Sequence, residues 1–229
     1  MKFSVIIATW NESAQIYSAL RRLRQISQPY STEIIVVDGA STDNTVELAR
    51  QWADQTLSMP SANRGAQLDA GARKATGDIL FFLRADSQPP SQWQQSLEHF
   101  WLSGHSRKAS GTGFSVDYGS GLSYRLASRM ANWRAWQGLI SADHGLCTTP
   151  EIYRDSGGFP AVAYGEDMAF SRRLAKLGRL VLLKDMIWPA ARRMRQLGPT
   201  RFLAERAWLS LRSKLGASPD DLWRVSSGL

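Results

Sequence analysis

The chain has one cysteine, Cys147, and three histidines, His99, His105 and His144, in 229 residues. A single thiol cannot close an internal disulfide, which sets aside the disulfide-stapled secreted class and fits a reducing compartment. The histidines and the cysteine lack any spacing that would gather a zinc ion, and nothing places Cys147 beside a base. No Gly-x-Gly-x-x-Gly follows a strand-like run and no P-loop pattern occurs, so dinucleotide binding and P-loop hydrolysis lose their usual support. No apolar run approaches the roughly 18–20 residues of a bilayer span. The apolar start, residues 1–8, is broken by Trp10-Asn11-Glu12 without a cleavage pattern and reads as a strand, not a signal peptide. Low-complexity tracts and internal repeats are also missing. The expectation is one soluble, cytoplasmic domain large enough to bury a substantial core.

Charge is abundant but uneven. The formal net charge is +8, and from Arg172 onward thirteen Lys/Arg face four Asp/Glu, while the preceding part is essentially neutral. Ala204, Ala207, Trp208, Leu211 and Leu215 fall on one face of a predicted helix, with Arg201, Glu205, Arg206, Arg212 and Lys214 around them. A basic amphipathic helix of this kind either covers the core or lies on an anionic membrane surface. The second case would make the protein peripheral on the inner membrane face. The nine tryptophans are spread over different predicted elements, and no helix-turn-helix, zinc-finger or RNA-recognition signature occurs. No nucleic-acid partner is expected.

The first half alternates strand and helix patterns, which argues a parallel or mixed α/β sheet. Residues 3–8 read as a first strand, followed by a helix to about Gln25. Ile34-Ile35-Val36-Val37 reads as a strand buried on both faces, ending in Asp38-Gly39-Ala40-Ser41-Thr42-Asp43. Ligands of open α/β sheets bind beyond the carboxyl ends of strands, so Asp38 stands where a ribose or base would be read, or else caps the helix near Asn44. A short strand at 56–59, a helix opened by Asn63-Arg64 and closed at Gly77, and a strand at 78–83 ending in Arg84-Ala85-Asp86 follow. Later, 111–116 reads as a strand and 122–136 as a helix carrying Arg125, Arg129 and Arg134.

These stations resemble glycosyltransferase family 2, the inverting, nucleotide-sugar-dependent enzymes of the GT-A fold. The matching stretches are 4–12, 34–45, 64–78, 83–87 and Gly165-Glu166-Asp167 with 170–174. The likeness looks closest to a subgroup associated with radical-SAM and selenium domains. It implies a single GT-A-like (Rossmann-like) domain with a mostly parallel mixed sheet flanked by helices. That domain would span 1–190, with a nucleotide-binding half (1–87) and an acceptor half (88–190), followed by a basic helical extension at 191–229. The resemblance further assigns Ala8, Thr9, Asn11, Glu12, Asp38, Arg64, Asp69, Arg84 and Ala85 to the nucleotide. It assigns Asp86 to a Mg²⁺ or Mn²⁺ ion on the diphosphate and Asp167, beside Glu166, to the catalytic base. Asp143 and His144 are the candidates for acceptor contacts, with a structural role equally open for His144.

The implied chemistry explains these residue types. Breaking the bond from the anomeric carbon to a nucleoside diphosphate, UDP or GDP, builds negative charge that a hard cation stabilises. A carboxylate on the opposite face takes the proton of the attacking hydroxyl, whose carrier the sequence does not name and which a lipid could present. Arg84 departs from the family pattern, standing where a metal-motif acid is usual. A guanidinium cannot ligate a metal. It would either contact the diphosphate itself, leave Asp86 as sole protein ligand, or mark a catalytically impaired nucleotide-sugar-binding relative.

Overall fold

The structure is a computed structural model that describes residues 1–162, 165–189, 195 and 197–214. Its centre is the run of β-branched residues at 34–37, all fully buried within β2 (Ser31–Asp38). Parallel neighbours flank β2: β1 (Lys2–Thr9) on one edge and β3 (Gln55–Ser58) on the other. On its far side β1 pairs, again parallel, with β4 (Ile79–Phe82). The order β3-β2-β1-β4 therefore brings four carboxyl ends to one edge of the sheet.

Beyond β4 the sheet becomes mixed. β7 (Leu146–Thr148) runs antiparallel to both β4 and β6 (Ala109–Val116), and β8 (Arg179–Pro189) lies parallel to β6. The two-residue β5 (Ser87–Gln88) closes the eight-stranded sheet by pairing antiparallel with the end of β8. The fold is thus the expected α/β domain with a mostly parallel mixed sheet.

Side chains alternate across a strand, and here both sets are buried. Phe3, Val5 and Ile7 of β1 pack with α1 (Ile16–Ile26) and α4 (Trp93–Leu102), through Leu20, Trp93 and Leu97. Ile6 faces the other layer, with Leu68 of α3 (Arg64–Lys74) and Phe170 and Leu174 of α7 (Glu166–Leu177). Two shorter helices, α2 (Thr45–Ala49) and α6 (Pro150–Asp155), sit at loop ends. The helix expected at 122–136 is α5 (Leu122–Trp136), and α8 (Pro199–Lys214) packs beside it. Of the basic face expected on α8, Trp208 is 45% exposed while its neighbour Leu209 is buried. The side chains of Arg206, Ala207, Leu211 and Lys214, and all of Leu215, lie outside the described residues.

Gly77 does not cap α3. That helix ends at Lys74 with Ala75 extended, and Gly77 donates its N–H to Ser4 Oγ at 2.8 Å. A β-carbon at Gly77 would lie 2.5 Å from that oxygen, so close approach to β1 demands glycine there. Gly71 serves the same purpose inside α3, where an added β-carbon would lie 2.5 Å from Ile6 Cγ2 and 3.1 Å from Val37 Cγ2. Overpacking such a contact costs about 1–3 kcal/mol. Gly71→Val should lower stability in chemical denaturation by about that amount; an unchanged midpoint would show that α3 does not rest this tightly on β1 and β2.

Candidate active site

Two loops meet at the carboxyl edge, and hydrogen bonds between them build its floor. Asp38, nearly fully buried, accepts from Thr9 Oγ1 at 3.1 Å, Ser41 N at 2.8 Å and Ser41 Oγ at 2.5 Å. Asn11 takes a left-handed conformation (φ 52°), which asparagine tolerates better than most residues. It receives the N–H of Thr42 on Oδ1 and donates its own N–H to Ser41 Oγ. Asp43 accepts from Ser13 N and Thr45 N. Desolvation opposes its charge, yet those bonds and the Thr45 and Ser13 hydroxyls outweigh it and hold its pKa down at about 2.

The next wall is the amino terminus of α3. Asn63 caps it by accepting from Ala66 N. Gln67, buried, donates to the carbonyls of Thr9 (2.9 Å) and Val37 (2.8 Å), tying the helix to both strand ends. Arg64 donates from Nη1 to Glu166 Oε1 at 2.9 Å, a bond spanning the two halves of the chain. Glu166 is 4% exposed; burial, joined by the neighbouring Asp167, raises its pKa against the pull of Arg64. Gly65 is fixed by the same approach, because a β-carbon there would collide with Pro160 O at 2.0 Å.

Arg84 stands at the centre. Its Nε and Nη2 fork onto the two oxygens of Asp86 at 3.0 and 3.3 Å, and Nε lies 3.6 Å from Asp143 Oδ1. Desolvation would lower its pKa, but Asp86, Asp143 and Asp167 together hold it above even the ordinary arginine value. Asp143 is fixed by the Tyr118 hydroxyl at 2.7 Å. Asp167, at the start of α7, accepts from Ala142 N (2.8 Å, Oδ2) and Met168 N (2.7 Å, Oδ1). His144 is 1% exposed, its Nδ1 bonded to Ser141 Oγ at 2.9 Å.

Ala8, Thr9, Glu12, Arg64, Arg84, Ala85 and Asp86 line one cleft of about 170 Å³, together with Trp10, Ala62 and Gln67, which sequence reasoning did not single out. Three residues expected at the nucleotide do not line it, nor do Asp143, His144, Glu166 and Asp167. Asp38 ends β2 and Asn11 lies in the loop after β1, both in the supporting floor, and Asp69 is bonded to Tyr153 Oη and Arg73 Nε on the flank of α3. A larger groove of about 640 Å³ between α4 and β8 contains none of the expected site residues. Gln67 had a sequence signal, being a polar residue on the inward side of an amphipathic helix; Tyr118, between a strand and a helix, had none.

The acids that converge here converge on a guanidinium. Among the described residues no group of three or more His, Cys, Asp or Glu is gathered to hold a metal ion, and both Asp86 oxygens accept from Arg84. As placed, this donor set does not fit a divalent cation held by the protein.

Residues 4–157, more than half of the chain, match the family profile described as Glycosyl transferase family 2. Glycosyltransferase AglE of Haloferax volcanii is 34% identical over 97 residues, 39% of this chain and 32% of that protein. The chain thus spans about a third of that relative's length. A mannosyltransferase from Pyrobaculum calidifontis, solved with GDP-Man and Mn²⁺, superposes with a TM-score of 0.66 at 20% identity, covering 83% of this chain and 57% of that one. Glucosyl-3-phosphoglycerate synthase from Mycobacterium tuberculosis, solved with Mn²⁺, UDP and phosphoglyceric acid, gives 0.65 at 19% identity, covering 94% and 78%. Among the described residues no helix is long and apolar enough to cross a membrane.

Burial, only partly offset by Asp143, depresses the His144 pKa from 6.5 to about 4. Between those values the unfolded chain binds a proton that the folded chain refuses, so stability falls as pH falls through that window. The contribution is about 3 kcal/mol at roughly 1.4 kcal/mol per pKa unit. Denaturation of wild type and His144→Gln across pH 4–7 should show the steeper acid loss in the wild type; parallel curves would place His144 in contact with water.

Proposed function

The chain belongs to glycosyl transferase family 2, and from that membership and the geometry around Arg84 we propose an inverting glycosyltransferase. It moves a sugar from a nucleoside diphosphate, UDP or GDP, to a hydroxyl acceptor. The observation that carries the reading is Arg84 held against Asp86 and Asp143 with Asp167 in its field, at the mouth of a cleft lined by Thr9, Glu12 and Arg64. The nucleoside occupies that cleft over the floor built by Asp38, and Trp10 offers an aromatic face at its rim. The diphosphate meets Arg84, whose planar fork matches phosphate oxygens.

In the transfer step the acceptor oxygen attacks the anomeric carbon from the face opposite the leaving group. Asp167 takes the hydroxyl proton, the carbon–oxygen bond to the diphosphate breaks, and its electron pair stays on the departing phosphate beside Arg84. Backbone N–H groups of Ala142 and Met168 fix the Asp167 carboxylate in orientation. Glu166, buried and paired with Arg64, acts as a positioning residue that links the donor wall to α7. Asp143, braced by Tyr118, belongs to the acceptor wall.

In this reading the catalytic domain is 1–190, divided near 87, and 191–229 is a basic extension. We further infer a likeness to the radical-SAM- and selenium-domain-associated subgroup, supported by Ala85-Asp86 and departed from at Arg84. The buried free thiol of Cys147 suits a cytoplasmic setting. On a second reading, favoured by the Mn²⁺ in the structural neighbours, Asp86 would hold a divalent cation, which would supply Lewis-acid stabilisation of the leaving phosphate.

Two measurements separate these readings. A panel of nucleoside diphosphate sugars should yield transfer that survives EDTA; loss on chelation and recovery with Mn²⁺ would favour the second reading. Asp167→Asn should lower turnover by about 10²–10⁴-fold while thermal stabilisation by UDP or GDP persists. Nucleotide binding by the wild type without any transfer would instead point to the catalytically impaired relative.

A further inference from the structure

Helix α5 wears its amphipathic pattern inside out. The side turned to the protein is small, with Ala127, Ser128, Ala131 and Ala135 buried. The side turned outward carries Leu122 (70% exposed), Leu126 (47%), Met130 (56%), Trp133 (59%) and Trp136 (76%). At about 100° per residue these five fall within one stripe of the helix. Single exposed apolar residues are ordinary, but five large ones in one stripe mark an interaction surface.

The charges bordering the stripe identify its partner. Arg125 and Arg134 flank it, Arg129 lies within it, and α5 contains no Asp or Glu. Among the described residues none of the three arginines forms a salt bridge with an acid. Two copies of this face would set arginine against arginine, which disfavours a homodimer. Beside it, α8 exposes Trp208 with the Arg212 guanidinium 5.1 Å from its ring. We propose that α5 is a docking face for an anionic lipid bilayer, its leucines, methionine and tryptophans entering the interface and its arginines reaching lipid phosphates.

Docking there would bring the acceptor wall to lipid. α5 begins just after Tyr118, which braces Asp143, and leads into Ala142, which orients Asp167. A hydroxyl or phosphate carried on a lipid would then arrive beside the base; this consequence, unlike the docking itself, rests on the transferase reading.

The test is co-sedimentation of the full chain with phosphatidylcholine vesicles and with vesicles containing phosphatidylglycerol. Wild type should pellet with the anionic vesicles and be released by salt, and Met130→Glu/Trp133→Glu should reduce that binding about tenfold or more. Thermal unfolding of the variant should match the wild type, since both side chains are exposed. The proposal is overturned if wild type stays in solution with anionic vesicles or if the variant pellets equally well. A wild-type dimer in gel filtration that the variant splits, without vesicle binding, would assign the face to a second copy. Failure of sugar transfer in solution would count against the transferase reading and leave the sedimentation result untouched.

Discussion

The site depends on one half-exposed cation. Arg84 holds Asp86 by a two-point fork, reaches Asp143, and lies in the field of Asp167. Each acid comes from a different stretch, after β4, before β7 and at the start of α7, so this side chain joins the carboxyl edge of the sheet to the second half of the chain. Arg84 thereby organises the acids of the site.

Around that cation the fold is stiff where positioning is needed. Asp38, Asn11 and Asp43 spend their oxygens on neighbouring loop N–H and O–H groups, and Gln67 pins α3 to two strand ends. Glycines at 71 and 77 let α3 and the turn after it approach the sheet without a β-carbon in the way, and Gly65 does the same against Pro160. Arg64 and Glu166 then lock α3 to α7, which sets where Asp167 stands relative to the cleft. Packing, loop bonding and charge thus converge on a single arrangement.

Much of this was legible in the sequence for a physical reason. Strands buried on both faces leave unbroken apolar runs, so β1, β2 and β4 announced themselves, and Arg84 stood out by its chemistry. The second half was less readable. β5 and β7 have two and three residues, too few for any period, and β8 alternates irregularly because its register against β6 shifts between Leu183 and Met186. Gly77 resembled a helix cap and proved to be a contact point, since spacing cannot distinguish the two. The bounds of α5 were readable, yet its inward face was not: alanines buried against the sheet and tryptophans left outside reverse the usual hydrophobic rule. Which expected residues line the cleft also depended on rotamers, which turned Asp69 toward Tyr153 and Arg73.

The most direct measurement compares the affinities of UDP and uridine, in metal-free buffer, for wild type and Arg84→Gln by calorimetry. If Arg84 supplies the countercharge, wild type should prefer UDP by about tenfold or more, as expected for a charge-assisted bidentate contact, and the variant should lose that preference. A wild type that binds UDP no better than uridine until Mn²⁺ is added would contradict the account.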